Sequence, residues 1–326
     1  MPLYSPWPAL FLAALMLWPP ATRRWALVPL AVAWAWAWKD GVIEPVALAA
    51  PALLALAAVC IRPTFQANSP ATPPPALRLF GHLLFVLLAA ALFLHLIPGF
   101  HNPQVIAPAP LSADAVAFGM YLNLDKPLVA FWVILVLAPP MVGGYVGGYV
   151  GGYVGADAGR AVGSDARSHA GGNAGGIAVL IVGRTLAAAL LACAAAVLVC
   201  LGLALALGVV GWAPKWPDTG WIWLINNALL VTVAEEALFR GYVQQQLATC
   251  WRNRRWGGWA ALGVAALLFG LAHFAGGWQW MLLATMAGVA YGVAYRYGGL
   301  AAAVLAHLGL NAAHFGLFTY PMRAVF

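Results

Sequence analysis

Charge is what this sequence has least of. Only 8% of its 326 residues are charged, and nine of them are acidic. A soluble domain carries roughly a quarter charged residues, so this composition excludes a water-soluble globular protein. Hydrophobic residues make up 64% of the chain, and the mean hydropathy is +0.86. The apolar segments are long and lack a two-residue alternation, which predicts an integral membrane protein built of helices rather than of strands.

Cysteines are also few, and they form neither a CxxC pair nor a zinc-type spacing. The four lie in or next to apolar segments, which indicates small apolar side chains without disulfide bonds. The 16 basic residues are spread through the loops between apolar runs. That pattern is typical of loop charge that sets membrane topology, so the net charge of +7 does not indicate nucleic-acid binding. We expect the lipid bilayer as the surroundings, with the bacterial inner membrane favoured by the short loops.

The apolar runs predict an all-α, polytopic membrane fold. They lie at about 7–20, 25–38, 42–61, 78–97, 128–141, 177–210, 221–248, 257–275, 279–297 and 299–318. At roughly 20 residues per span, this predicts about eight to ten transmembrane helices. Ten follow if every run crosses the bilayer. Eight follow if the first two, which are short and contain or adjoin proline, form a hairpin or lie at the interface.

Three parts are predicted along the chain. Residues 1–141 form an N-terminal transmembrane unit, 142–176 a glycine-rich linker with three Gly-Gly-Tyr-Val repeats, and 177–326 a C-terminal unit with a helix bundle. Within the first part, 98–126 is predicted as a long loop that ends in a solvated helix start at Asp125 and Lys126. Small residues every four positions, at Ala284, Gly288 and Gly292, predict a close helix contact.

Two of the three glutamates of the chain are adjacent, at Glu235 and Glu236, inside an apolar run. Ionisable groups within membrane spans are functional-site candidates because holding them away from water is costly. Glu236 and Arg240 are four residues apart and share a helix face, which predicts an ion pair. Glu235 points about 100° away from that face, so we interpret Glu236 and Arg240 as a structural pair and Glu235 as the group available for chemistry.

Three further polar residues lie in apolar runs of the C-terminal half. They are His273, four residues after Phe269, and the pair His307 and Asn311 on a single helix face. Each alone is explained by an interhelical hydrogen bond. If they converge with the glutamates, they form an acid–base site with hydrogen-bond donors. A carboxylate in such an apolar setting is suited to act as a general base.

These residues carry a resemblance to a known family. The patterns Glu235-Glu236-x-x-x-Arg240, Phe269-x-x-x-His273 and His307-x-x-x-Asn311, in this order on separate apolar segments, resemble the three motifs of the CPBP intramembrane proteases. That family includes CAAX proteases and bacteriocin-processing proteins and is related to the type II CAAX prenyl endopeptidase. The resemblance covers about residues 221–318 and implies hydrolysis of a membrane-associated protein or peptide.

The resemblance also implies roles for the motif residues. Glu235, assisted by His273, would activate a water molecule. His307 and Asn311 would stabilise the oxyanion, and Phe269 would shape the pocket. No cofactor is expected from a glutamate mechanism. Zinc bound by two histidines and a glutamate is the alternative, although the chain has no HExxH motif.

Two other functions stay open from the sequence. One is a non-catalytic membrane scaffold, of the immunity type, that holds a peptide in the same pocket. The other is a proton-coupled transporter that uses the glutamates and histidines as a relay. A transporter of that kind is expected to carry a second, inverted copy of its polar segment, and residues 1–140 contain none.

Overall fold

The structure is a computed structural model that describes residues 5–61, 73–143 and 174–324. The Gly-Gly-Tyr-Val repeats and most of the predicted linker therefore lie outside the described residues. The chain divides into two compact units. The first comprises residues up to 105 together with 121–137 and 229–234. The second comprises 106–120, 138–228 and the chain from 235 onward.

Five helices build most of the first unit. They are α1, Pro6–Met16; α2, Leu27–Lys39; α3, Ala49–Ile61, which follows the 3₁₀ turn Pro45–Leu48; α4, Pro75–Phe93; and α5, Pro127–Trp132, which continues as the π-helical Val133–Leu137. α1 packs against α2, and α3 packs against α4. The short α-helix Pro20–Arg23 and the 3₁₀ turn Arg24–Ala26 run directly into α2. The first two apolar runs therefore form two helical segments that pack against each other.

Asp125 lies just before the N-terminus of α5, which begins at Pro127. Its carboxylate accepts a hydrogen bond from the backbone N–H of Lys126 at 2.9 Å and lies 2.5 Å from Nδ1 of His95. Only 1% of Asp125 is exposed, so the interpretation of this residue as solvated was wrong. The predicted helix start is correct, but His95 covers the carboxylate from another part of the chain.

A two-stranded sheet forms where the sequence predicts only a loop. Its strands are β1, Gln104–Pro110, and β2, Ala117–Tyr121. The prolines of β1 did not prevent strand pairing, which is consistent with their tolerance in edge strands. The sheet has only two strands, so both of them are edges.

Four long helical segments build the second unit. They are α6, Ala174–Ala196, continued by the π-helical Val197–Leu201 and by Gly202–Ala206; α7, Gly220–Cys250; α8, Gly257–Leu271; and α9, Gly277–Leu317. α9 packs along both α6 and α8. The predicted contact of small residues occurs here, since a Cβ placed on Gly288 would lie 3.1 Å from Cα of Ala266.

α9 contains a sharp break at Gly299, where φ is 78° and ψ is −171°. Only glycine adopts this backbone conformation readily. The break directs the backbone N–H of Leu300 to the carbonyl of Pro140 at 2.8 Å and that of Ala301 to the carbonyl of Met141 at 2.9 Å. The last two apolar runs are therefore two helices that meet at this residue.

Within the described residues, four helices are long and apolar enough to cross a membrane, judged by length and composition. They are Pro75–Phe93, Ala178–Ala206, Gly220–Cys250 and Phe274–Leu317. Shorter apolar helices accompany them, at Pro6–Met16, Pro45–Ile61, Pro127–Leu137 and Gly257–Leu271. The chain is thus an all-α, polytopic integral membrane protein, which confirms the predicted fold class.

We expect the substitution Gly299→Ala to destabilise the second unit. A Cβ at this position would lie 2.8 Å from backbone atoms of Pro140 and Met141, and the alanine would be held in a strained conformation. Strain of this kind costs on the order of 1–3 kcal/mol. The measurement is thermal unfolding of the purified protein in detergent.

The matched control is Gly263→Ala in α8. No atom lies within 4 Å of a Cβ placed there, and alanine favours a helix by up to about 1 kcal/mol over glycine. This variant is expected to unfold at the same temperature as the wild type or higher. Equal stability of both variants would contradict the role assigned to Gly299.

Candidate active site

The two adjacent glutamates lie between two π-helical turns of α7. Asn227–Val231 precedes the α-helical Thr232–Glu236, and Ala237–Gln244 follows it. A π turn inserts one extra residue and rotates the helix face, and such turns are frequent at functional sites. The side chain of Glu236 is fully buried, whereas that of Glu235 is 22% exposed. Adjacent residues of one type therefore have different surroundings.

Glu236 and Arg240 form a buried ion pair. Nε of Arg240 lies 3.0 Å from Oε2 of Glu236, and both side chains are 0% exposed. The N–H on Nε of Arg240 does not point directly enough at this oxygen to form a hydrogen bond, so the contact is mainly electrostatic. The guanidinium also faces the rings of Phe269, at 5.2 Å from the centroid, and Tyr291, at 5.8 Å. An aromatic ring face stabilises a desolvated cation.

His307 connects the two glutamates from α9. Its Nδ1 donates a hydrogen bond to Oε1 of Glu236 at 2.9 Å, and its Nε2 lies 3.8 Å from Oε2 of Glu235. The ring stacks on Tyr291 with the centroids 4.5 Å apart and the planes at 15°. A separation of 3.8 Å is too long for a direct hydrogen bond, but a water molecule or a substrate atom can bridge such a pair.

His273 follows the end of α8, and its orientation is fixed by its own chain. Nδ1 lies 2.8 Å from the backbone carbonyl oxygen of Phe269, which can only accept, so Nδ1 carries the proton and Nε2 has a free lone pair. The ring of Phe269 contacts those of His273, at 4.8 Å, and His307, at 5.7 Å. Within the described parts of the chain, His273 makes no hydrogen bond or ion pair with either glutamate of α7.

Asn311 lies one turn after His307 on α9. Its Nδ2 donates to Oδ1 of Asn227 at 3.2 Å, and Nδ2 of Asn227 in turn donates to the carbonyl of Trp223 at 3.1 Å. Because an amide nitrogen has two N–H groups, Asn311 retains one for another acceptor. Asn227 thus fixes the orientation of the Asn311 carboxamide.

A cavity brings most of these groups to a shared space. It is lined by four of the residues singled out from the sequence, namely Phe269, His273, His307 and Asn311, together with Trp280, Tyr291 and His314. It encloses ≈ 530 Å³ with its mouth included, of which water can reach ≈ 80 Å³. This is room for more than one water molecule. Glu235 is not part of the lining, but it approaches the cavity through Nε2 of His307.

Sequence reasoning missed Asn227, Tyr291 and His314. The only signal for Asn227 was an asparagine pair inside an apolar run, about two turns before the glutamates. A tyrosine such as Tyr291 is common in membrane helices and carried no signal. His314 continues the spacing of His307 and Asn311 on one helix face, and that spacing could have been noticed.

Zinc coordination was the alternative mechanism, and the arrangement of donors does not fit it. No group of three or more histidine, cysteine, aspartate or glutamate side chains within the described residues is spaced to hold a metal ion. We therefore derive no step through a metal.

We expect Arg240→Ala to lower both stability and activity. The substitution leaves the carboxylate of Glu236 buried with His307 as its remaining polar partner. Removing one partner of a buried ion pair typically costs about 3–5 kcal/mol. The measurement is the free energy of unfolding in detergent, obtained by denaturant titration.

The control is Arg323→Ala, which removes an exposed ion pair. Nε of Arg323 lies 3.0 Å from Asp114, and the two side chains are 42% and 44% exposed. Solvent-exposed pairs contribute little to stability, so a much smaller loss is expected. A loss for Arg240→Ala no greater than for this control would refute the buried pair as an anchor.

Comparisons with known proteins agree with the motifs. Residues 216–313 match the model of the family described as "Type II CAAX prenyl endopeptidase Rce1-like". No curated protein and no solved structure matches the chain. The matched segment contains all of the motif residues on α7, α8 and α9, which confirms the resemblance predicted from them. Residues 216–313 of this membrane protein are thus similar to the Rce1-like family of CAAX-type proteases.

Proposed function

We propose that this chain is an intramembrane endopeptidase that hydrolyses a membrane-associated protein or peptide with a glutamate-activated water. The observation that carries the proposal is the position of His307. It hydrogen-bonds to Glu236 at 2.9 Å and faces Glu235 at 3.8 Å, beside a cavity that His273 and Asn311 also line. This arrangement supplies a base, an oriented imidazole and an amide donor within one helical unit.

In this mechanism Glu235 is the general base. It is the more exposed of the two adjacent carboxylates, and its partner Glu236 is occupied by Arg240 and His307. Glu235 takes a proton from a water molecule, which attacks the carbonyl carbon of the scissile bond. The free lone pair on Nε2 of His273 accepts the second hydrogen of that water and orients it. Glu235 then returns the proton to the leaving amine as the C–N bond breaks.

The oxyanion is stabilised from α9. His307, whose Nδ1 is hydrogen-bonded to Glu236, donates to the oxyanion from Nε2 when both ring nitrogens carry a proton. The second N–H of Asn311 is the other donor, held in place by Asn227. A donor aimed at the developing oxyanion typically contributes about 3–4 kcal/mol to the rate.

We expect Glu235→Gln to abolish cleavage while leaving the fold intact. The amide matches the carboxylate in size but cannot accept the proton of the water, and a positioned base contributes roughly 10²–10⁴-fold to the rate. The assay follows hydrolysis of a library of apolar membrane peptides by the full-length protein in lipid nanodiscs. Unfolding temperature is measured in parallel.

The control is Glu44→Gln, which alters an exposed glutamate that contacts His101. This variant is expected to cleave as the wild type does. Equal product from wild type and Glu235→Gln would remove Glu235 from the mechanism. A wild type that binds peptides but cleaves none of the library would favour the scaffold function instead.

A larger, apolar cavity between α6 and α9 supports an apolar membrane peptide as the substrate. Water can reach ≈ 720 Å³ of it, against ≈ 80 Å³ of the cavity at the proposed catalytic residues, and its lining is apolar apart from Arg184, Tyr297 and Cys200. Cys200 lines both this cavity and the one at the proposed catalytic residues. An apolar stretch of a membrane peptide can lie in the larger cavity while its backbone reaches the catalytic residues.

We expect Ala195→Phe, which fills the larger cavity from α6, to raise the KM for apolar peptides about tenfold or more. A buried aromatic side chain occupies the volume that an apolar substrate would need. Ala194→Phe is the matched control, because Ala194 is also exposed on α6 but does not line the cavity. If the two variants have equal KM values, the substrate does not use this cavity.

A further inference from the structure

His314 is a buried polar side chain that the mechanism above does not use. It is 9% exposed, it lines the same cavity as His307 and Asn311, and its Nε2 is buried without a hydrogen-bond partner in the described residues. A buried polar atom without a partner is costly and rare in folded proteins. The atom therefore indicates a group that is supplied from outside the chain.

The other ring nitrogen determines what that group must be. Backbone groups of Thr319 and Pro321 lie near the imidazole. Because Nε2 has no hydrogen-bond partner, we infer that Nδ1 is the nitrogen nearest these groups and that it carries the proton. Nε2 then carries the lone pair, so a matching ligand has to present an N–H or O–H donor.

The position of His314 on α9 gives its distance from His307, which lies at the proposed site of hydrolysis. His307, Asn311 and His314 lie within about 60° of one helix face, and His314 is about 10 Å from His307 along the axis. An extended peptide covers that distance in about three residues. Trp280 packs against the His314 ring, with the ring centroids 5.7 Å apart, and bounds the cavity at this end.

We propose that Nε2 of His314 accepts a hydrogen bond from a backbone N–H of the bound peptide, about three residues from the scissile bond. His314 is then a substrate-binding residue that sets the register of the peptide. This inference rests on the proposed endopeptidase function. It adds a second point of attachment, so that the scissile carbonyl is aligned with Glu235 and with the donors of α9.

The test is a double-mutant cycle on peptide binding, measured with the full-length Glu235→Gln variant in nanodiscs so that no peptide is consumed. The probe is the library peptide that this variant binds most tightly, labelled with fluorescein. A series of copies carries one N-methyl group each, at successive backbone nitrogens. Dissociation constants are compared between the Glu235→Gln variant, which retains His314, and the same variant with the added substitution His314→Phe.

With His314 present, methylation of one nitrogen is expected to weaken binding about tenfold, as loss of a buried hydrogen bond does. In His314→Phe the same methylation is expected to change binding less than twofold. His314→Gln, which keeps an acceptor, is expected to retain a several-fold discrimination. Because a cycle measures coupling, a general loss of stability in one variant does not imitate this result.

If no N-methyl position couples to His314, or if coupling occurs only beyond four residues from the bond that the wild type cleaves, the inference is overturned. That outcome leaves the proposed function intact, provided the wild type cleaves and Glu235→Gln does not. Absence of cleavage by the wild type would count against the endopeptidase, while coupling in the binding cycle would still identify His314 as a contact of the peptide.

Discussion

The arrangement of the candidate site depends on one constraint, the need to neutralise the fully buried carboxylate of Glu236. A lone charge in an apolar helix bundle would cost several kcal/mol or more. Arg240 from the same helix and His307 from α9 both contact it, at 3.0 and 2.9 Å. These contacts tie α7 to α9 at a fixed height and rotation. The same tie aims Nε2 of His307 at Glu235.

The adjacent residues Glu235 and Glu236 are chemically identical, and their different burial gives them different roles. Glu236 has both oxygens engaged and no exposure, which suits a structural role. Glu235 is partly exposed, and Nε2 of His307 lies 3.8 Å from its carboxylate. Such surroundings suit exchange of protons with water. π-helical turns lie on either side of the pair, and adjacent residues on a helix point about 100° apart, so the two side chains face different surroundings.

α9 combines the two requirements of a membrane enzyme, close packing and a polar surface. Before Gly299 it packs tightly on α8 through small residues such as Gly288. After the break it presents His307, Asn311 and His314 on one face toward the cavity. The break at Gly299 separates the two segments and changes the direction of the helix axis between them.

The sequence by itself determined the membrane class, the helical composition and the three motifs, since these follow from composition and from spacing within single helices. The pairing of Glu236 with Arg240 was predictable for the same reason, as both lie on one turn of α7. Only the tertiary structure decided that His307 joins both glutamates, that Asn227 orients Asn311 and that His314 reaches the same cavity. Such contacts depend on how each helix is rotated about its axis. π turns and a glycine break change that rotation, and no residue pattern along the chain specifies by how much.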